Sequence, residues 1–293
     1  MKTGITHIIT WSTLTILFLT SVGPADAKST LWEATSPQGT LYIQGSAHVL
    51  KAENYPLAPA IEQAYSNSTA LILEVDMSEM MSPKTQQLIM GMAMLQQPDT
   101  LKTVLDPLTY ERLEEAAQQA ALPLAAIESF KPWFATMTLT LVKMKKMGLD
   151  ESLGLDKHFY EKATADNKKV IGLESVDFQI ALLDSLSDEN PDDFVNRSLT
   201  ELKQLEDDLT KLLTAWETGD FQTLESLINK SFKDYPEQYE KFITARNKAW
   251  VKKLRGMVNR NDTYMVVVGA GHLPGEEGVI NLLKQKGFTV EQL

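Results

Sequence analysis

Residues Thr263–Leu273 read TYMVVVGAGHL. Tyr264 and the run Met265–Val268 are apolar and rich in β-branching, and Gly269-Ala270-Gly271-His272 ends them. A short run of this kind bounded by glycines reads as a fully buried strand. It delivers an imidazole at the strand's carboxyl end, where open α/β sheets gather their chemistry. The same pattern stands near the other end of the chain, as Leu41-Tyr42-Ile43-Gln44 followed by Gly45-Ser46-Ala47-His48.

Working outward, Leu31–Thr35 and Thr40–Gln44 flank Ser36-Pro37-Gln38-Gly39, a hairpin signal. Pro56–Tyr65 reads as a helix, and Ala70–Asp76 (ALILEVD) as another buried strand with Glu74 in its middle. Strand, helix, strand is the parallel α/β pattern. Pro107–Gln119, Pro132–Met147 and Gly154–Thr164 read as helices, and Lys169–Glu174 (KVIGLE) as a third core strand ending on Glu174. Val195, Leu199, Leu202, Leu205, Leu209, Leu212 and Trp216 recur at threes and fours, one apolar stripe on a long helix. Residues 175–258 are therefore expected as a helical insertion between two core strands. The chain closes with a Gly275–Lys286 helix, Glu276 and Glu277 in its first turn, and a strand Phe288–Gln292. The fold class is α/β, a central mostly parallel sheet with a large helical insertion.

Residues 1–27 carry Lys2, an apolar stretch Ile8–Leu19 and the small-x-small pattern Ala25-Asp26-Ala27, the signature of a cleaved signal peptide. An uncleaved amino-terminal anchor is the competing reading; the apolar run is short for a span. Export to a periplasm or the outside follows, with no stable membrane span after cleavage and a single domain over residues 28–293. The chain has no cysteine, which removes disulfides, thiolate metal sites and cysteine nucleophiles. Its 28 Lys and Arg against 39 Asp and Glu give a net charge of −11, which repels phosphate backbones and argues against a nucleic-acid partner.

Two imidazoles at strand ends, with one or two strand carboxylates, suit a divalent ion with an open position. They suit equally a metal-free general base oriented by a carboxylate. Glu74 is the stronger acid candidate, because a buried strand rarely holds an ionised side chain without a partner. Asp76 fits a helix cap or the site rim, and Glu174 a site or a cap. His158, beside Asp156 and Glu161 on a helix, reads as solvated. Met77, Met80, Met81, Met90, Met92 and Met94 fit a pliant apolar flap or helix. A soft copper site is the sharper alternative.

LYIQGSAH (Leu41–His48), LILEVD (Leu71–Asp76), Gly154-Leu155-Asp156, Gly172-Leu173-Glu174, Arg246-Asn247 with Trp250, and VGAGHLPG (Val268–Gly275) together resemble the TraB/GumN group. That group includes the Tiki-type membrane proteases. The resemblance implies an erythromycin esterase/ChaN-like sheet. It implies that His48, Glu74 and His272 act together, binding a divalent metal (Mn, Co or Zn) or activating water, in a metal-dependent hydrolase of peptide or amide bonds. Ser46-Ala47 stands where a Thr-Ile-type pair is commoner. Arg246 matches a family arginine suited to a substrate carboxylate or an oxyanion, with a helix-surface ion pair as the alternative, and Glu174 is expected to support the site. The partner is a peptide or small-molecule substrate. The alternative function is a non-catalytic exported protein that binds or sequesters a small peptide or a metal.

Overall fold

Short apolar runs that satisfy their backbone groups across neighbours build one six-stranded sheet: β1 Leu31–Ser36, β2 Gly39–Ser46, β3 Ala70–Leu73, β4 Lys169–Gly172, β5 Asp262–Gly269 and β6 Thr289–Gln292. The computed structural model describes residues 29–187, 190–258 and 262–293, so the leader expected at residues 1–27 lies outside the described residues. Strand order is β4-β3-β5-β2-β1-β6. The four strands β4, β3, β5 and β2 run parallel, and β1 pairs antiparallel with both β2 and β6.

Between β2 and β3 lies α1, Pro59–Asn67. Between β3 and β4 lie α2 Met77–Met80, α3 Pro83–Ala93, α4 Leu101–Val104, α5 Pro107–Gln119, α6 Pro132–Lys146 and α7 Leu155–Ala165. Between β4 and β5 come α8 Val176–Asp184, α9 Pro191–Thr218, α10 Phe221–Phe232, α11 Pro236–Tyr239, a π-turn at Glu240–Thr244, and α12 Ala245–Met257. The last helix, α13, is Val279–Gln285. Many starts are locally encoded. Asp106 accepts the Leu108 and Thr109 amides, Asp220 that of Thr223 and Ser175 that of Phe178, each cap worth about 1 kcal/mol.

The period of two along β5 sorts its side chains between layers. Met265 and Val267 join Leu71 and Leu73 against α1 and α7 on one face. Val266 and Val268 join Ile72, Leu41 and Ile43 against α12 and α13 on the other. With both faces covered, the central strands are apolar throughout, as buried parallel strands must be. A separate helical core forms from Leu101, Leu113, Trp133, Leu139, Phe194, Val195 and Leu199. The helical excursion of residues 77–165 thus packs on α9 of the segment expected as an insertion.

Four local expectations change, the first being that the strand expected over Lys169–Glu174 ends at Gly172, with Glu174 two residues beyond it. The first helix starts at Pro59 rather than Pro56. The strand expected over Ala70–Asp76 ends at Leu73, so Glu74 stands just past its carboxyl end, not in its middle. The helix expected from Gly275 begins at Val279, which leaves Glu276 and Glu277 ahead of its first turn. The methionine-rich stretch forms the short helices α2 and α3, and Asp76 caps the first through the Ser78 amide.

Candidate functional site

Four of the five candidate side chains leave the carboxyl ends of four adjacent parallel strands, and the fifth, Arg246, comes from α12. Across the edge, in strand order, stand Glu174 after β4, Glu74 after β3, His272 in the turn after β5, and His48 after β2. The ladder carries on past the assigned strands, with the Glu174 amide donating to the Glu74 carbonyl at 2.8 Å. Parallel register therefore places residues distant in sequence at one edge.

The convergence centres on Gly269. The point where a Cβ would stand there lies 3.3 Å from Glu74 Oε1, 3.5 Å from His272 Cδ2 and 3.7 Å from His48 Nε2. A Cβ there would crowd Glu74 Oε1 and touch both imidazoles, so glycine keeps the space between them open. The Gly269 amide donates to Glu74 Oε1 at 2.8 Å.

His48 is oriented by a residue that sequence reading did not select. Its Nδ1 lies 2.7 Å from Asp156 Oδ2, and Ser46 Oγ donates to the same oxygen. A carboxylate only accepts, so Nδ1 carries the proton and Nε2 is left facing the cleft. Asp156 sits in the first turn of α7, whose start is bound to the His48 loop. The Leu155 amide donates to the Ala47 carbonyl at 3.0 Å, and Leu50 and Asp150 exchange backbone bonds. Gly154 makes this approach possible, since a Cβ there would sit 2.2 Å from the His48 carbonyl oxygen.

His272 is buried, with both ring nitrogens engaged. Nε2 lies 3.0 Å from Arg246 Nη1 and Nδ1 lies 2.7 Å from Asn247 Oδ1. A guanidinium only donates, so Nε2 accepts and Nδ1 donates, which fixes the neutral tautomer. The Asn247 amide is itself fixed, donating to the carbonyls of His272 and Glu277.

Arg246 is 8% exposed and uses all of its donors. Nε contacts Glu174 Oε1 and Oε2 at 3.1 and 3.2 Å. Nη2 donates to Glu74 Oε2 and Glu174 Oε1, each at 2.6 Å, and Nη1 to the Phe242 carbonyl and His272. Arg246 is thus neither a surface ion pair nor free to hold substrate; it locks two acids and an imidazole together. Gln179 bridges Glu74 and Glu174, and Trp250 Nε1 donates to Glu174.

The electrostatics separate the two imidazoles. The Asp156 carboxylate raises the His48 pKa, against the opposing loss of some hydration beside the protein, to about 9. With 65% of its side chain open to solvent, water screens part of that attraction. Burial lowers His272 to about 4, only partly offset by Glu74. Burial would raise Glu74, but His272, His48, Arg246 and the Gly269 amide outweigh it and hold the carboxyl at about 2.

His48, Glu74, Asp156 and Arg246 line a cleft of 650 Å³, together with Met77, Met80, Met81, Lys157 and Gln179, while His272 is buried behind it. The α2 methionines therefore form one wall of it. Lys157 lines the cleft, its only ion pair among the described residues a loose 3.8 Å contact with Glu161. His158, expected on a solvated face, is half-buried between Tyr55 and Phe159, 3.8 Å from Glu62.

As they stand, the residues do not present a ready ligand set for an ion. The His272 Nε2 lone pair is taken by Arg246, and both Glu74 oxygens accept N–H groups. Among the described residues no group of three His, Cys, Asp or Glu side chains is arranged to hold a metal.

An α/β sheet with imidazoles, acids and a buried arginine at the carboxyl edge of its parallel strands defines a class of edge-site proteins. This chain belongs to the TraB/PrgY/gumN family, matched over residues 30–292. It is 27% identical over 246 residues to a protein of Escherichia coli (strain K12) described as the uncharacterized protein YbaP, covering 83% of this chain and 87% of the relative. It is 22% identical to metalloprotease TIKI2 of Danio rerio, covering 92% of this chain and 62% of that one. A metalloprotease TIKI homolog of Amphimedon queenslandica is 30% identical over 83 residues, 28% of this chain and 14% of the other. No solved structure matches. Among the described residues no helix is long and apolar enough to cross a membrane.

Proposed function

We propose that this chain is an exported hydrolase, periplasmic or secreted, acting on peptide or amide bonds, with His48 as general base. The observation that carries the reading is the meeting of His48 Nε2, Glu74 Oε1 and His272 at the Gly269 turn, open to a cleft of peptide-binding size. The relatives named metalloproteases support the bond type.

In this mechanism His48 Nε2 takes a proton from a water held in the cleft, while Asp156 keeps Nδ1–H in place and steadies the imidazolium. The water oxygen attacks the carbonyl carbon, and the proton on Nε2 then passes to the leaving nitrogen. Glu74, ionised and held by Arg246 and Gly269, stabilises positive charge on His48. Neutral His272 fills the back of the site and fixes Arg246. Lys157, a lining residue of the cleft, is assigned the cation's part against negative charge developing on the carbonyl oxygen.

The relatives' names favour a second, metal-dependent reading, in which His48, Glu74 and His272 would be the residues to hold a divalent ion and the ion would supply activation of water. Chelation separates the two readings. Purified chain is incubated with a peptide library, with and without EDTA, beside His48→Ala. Cleavage that resists EDTA and disappears in His48→Ala supports the base reading. Cleavage lost to EDTA and restored by Mn, Co or Zn transfers the function to the metal-bound form. Binding without turnover under every metal supports the sequestering alternative.

A further inference from the structure

A second cavity adjoins the His48 cleft. Leu183 and Phe242 line the cleft and also a neighbouring cavity of 380 Å³ between α6, α8, α9, α10 and the π-turn. Phe242 thus has two roles, since its carbonyl also accepts from Arg246 Nη1. π-turns recur at functional sites, where the extra residue re-aims a side chain. The second cavity is walled chiefly by apolar groups, among them Trp133, Met137, Phe194 and Phe232. Only one cation is set in that wall, Arg197 of α9.

Arg197 is held but not saturated. Nη1 donates to Gln238 Oε1 at 2.9 Å, and the guanidinium lies 4.0 Å over the Tyr235 ring. Its Nε is buried without a hydrogen-bond partner. Glu201 Oε1, one turn on, is 3.9 Å from that nitrogen, beyond hydrogen-bond reach, on a side chain 62% exposed. A buried N–H lacking an acceptor is costly, so the guanidinium is incompletely satisfied where it stands. In a chain of net charge −11 an anion needs such a local cation to approach.

We propose that this cavity is a substrate subsite that takes an apolar side chain together with a carboxylate held by Arg197. The substrates selected are peptides ending in an apolar residue with a free carboxyl group. The occupant follows from adjacency to the cleft, with Leu183 and Phe242 lining both, from the apolar wall and from its single cation, beside which Glu201 is the one carboxylate. The word substrate rests on the hydrolase reading; the binding does not.

The test is calorimetric titration of the full chain with 4-phenylbutyrate and with its uncharged amide. The carboxylate is expected to bind at least tenfold more tightly than the amide. Arg197→Met removes that preference, Glu201→Gln enlarges it, and Met137→Trp, which fills the cavity, removes binding of both probes. His48→Ala leaves every one of these results unchanged. Equal binding of acid and amide, no binding of either, or binding that survives Met137→Trp overturns the subsite. If Met137→Trp melts out of the native fold by circular dichroism, the Arg197→Met comparison carries the decision. A chain that binds the probe but cleaves no peptide contradicts the hydrolase reading alone.

Discussion

His48 Nδ1 and Asp156 Oδ2 lie 2.7 Å apart, although 108 residues separate them in the chain. The pair fixes which imidazole nitrogen faces the cleft and makes that nitrogen more basic. Because the carboxylate favours the imidazolium, the neutral base form of His48 accumulates only as pH rises above the ordinary imidazole range, toward about 9.

Turnover is therefore expected to increase with pH on the alkaline side of neutrality. Asp156→Asn removes the charge and lowers the His48 pKa, so the rising limb of the rate profile moves to lower pH. The plateau rate falls about 10²-fold or more, because the orienting acceptor weakens. The pH dependence of kcat/KM in both proteins checks this, and a limb that stays in place contradicts the pairing.

Stability should peak near pH 6.5. His272 has its folded pKa lowered, by burial, from 6.5 to about 4, so its contribution is complete above 6.5 and is lost as pH falls toward 4. Glu74, held at about 2 against an ordinary 4.5, contributes above 4.5 and loses that as pH falls toward 2. His48 is raised, so its contribution is complete below 6.5 and fades as pH climbs toward about 9. Melting temperature against pH reads the curve, and His272→Asn is expected to flatten the limb between 6.5 and 4.

Arg246→Met leaves Glu74 and Glu174 buried beside each other without their cation. The expected loss is about 3–5 kcal/mol, measured by urea unfolding at neutral pH. A loss below about 1 kcal/mol is the size of a surface pair and contradicts the hub described for Arg246.

Gly154→Ala forces the His48 loop away from α7, because the new Cβ would meet backbone at 2.2 Å. A cost of about 1–3 kcal/mol is expected, with activity falling further than stability explains. Gly91→Ala is the control: it lies in α3 with nothing within 4 Å, and should stabilise by about 0.5–1 kcal/mol.

β2 and β5 were legible in sequence because buried parallel strands leave an unbroken apolar signal, and Gly45 and Gly269 at their carboxyl ends marked where it stopped. The ends of β3 and β4 were not, since an acid after an apolar run fits a strand as well as the turn beyond it. The α9 stripe was legible for the same periodic reason. Asp156 was not, since an acid in a helix's first turn already has a local explanation in the helix dipole. Nothing local reveals that its partner is His48. The Arg246 hub was hidden likewise, as Arg246 stands 72 residues beyond Glu174 and the same residue pattern fits a helix surface. The boundary errors at Pro56 and Gly275 have one cause: proline and glycine permit a helix start without requiring it there.

The account depends most on His48 acting as the base of a hydrolytic site. The decisive measurement is cleavage of a peptide library at pH 9 by the wild-type chain and by folded His48→Ala, read by mass spectrometry. The account predicts discrete cleavage products from the wild type and at least a 10²-fold lower rate from the variant. Equal cleavage by the two proteins, or none by the wild type, would contradict it.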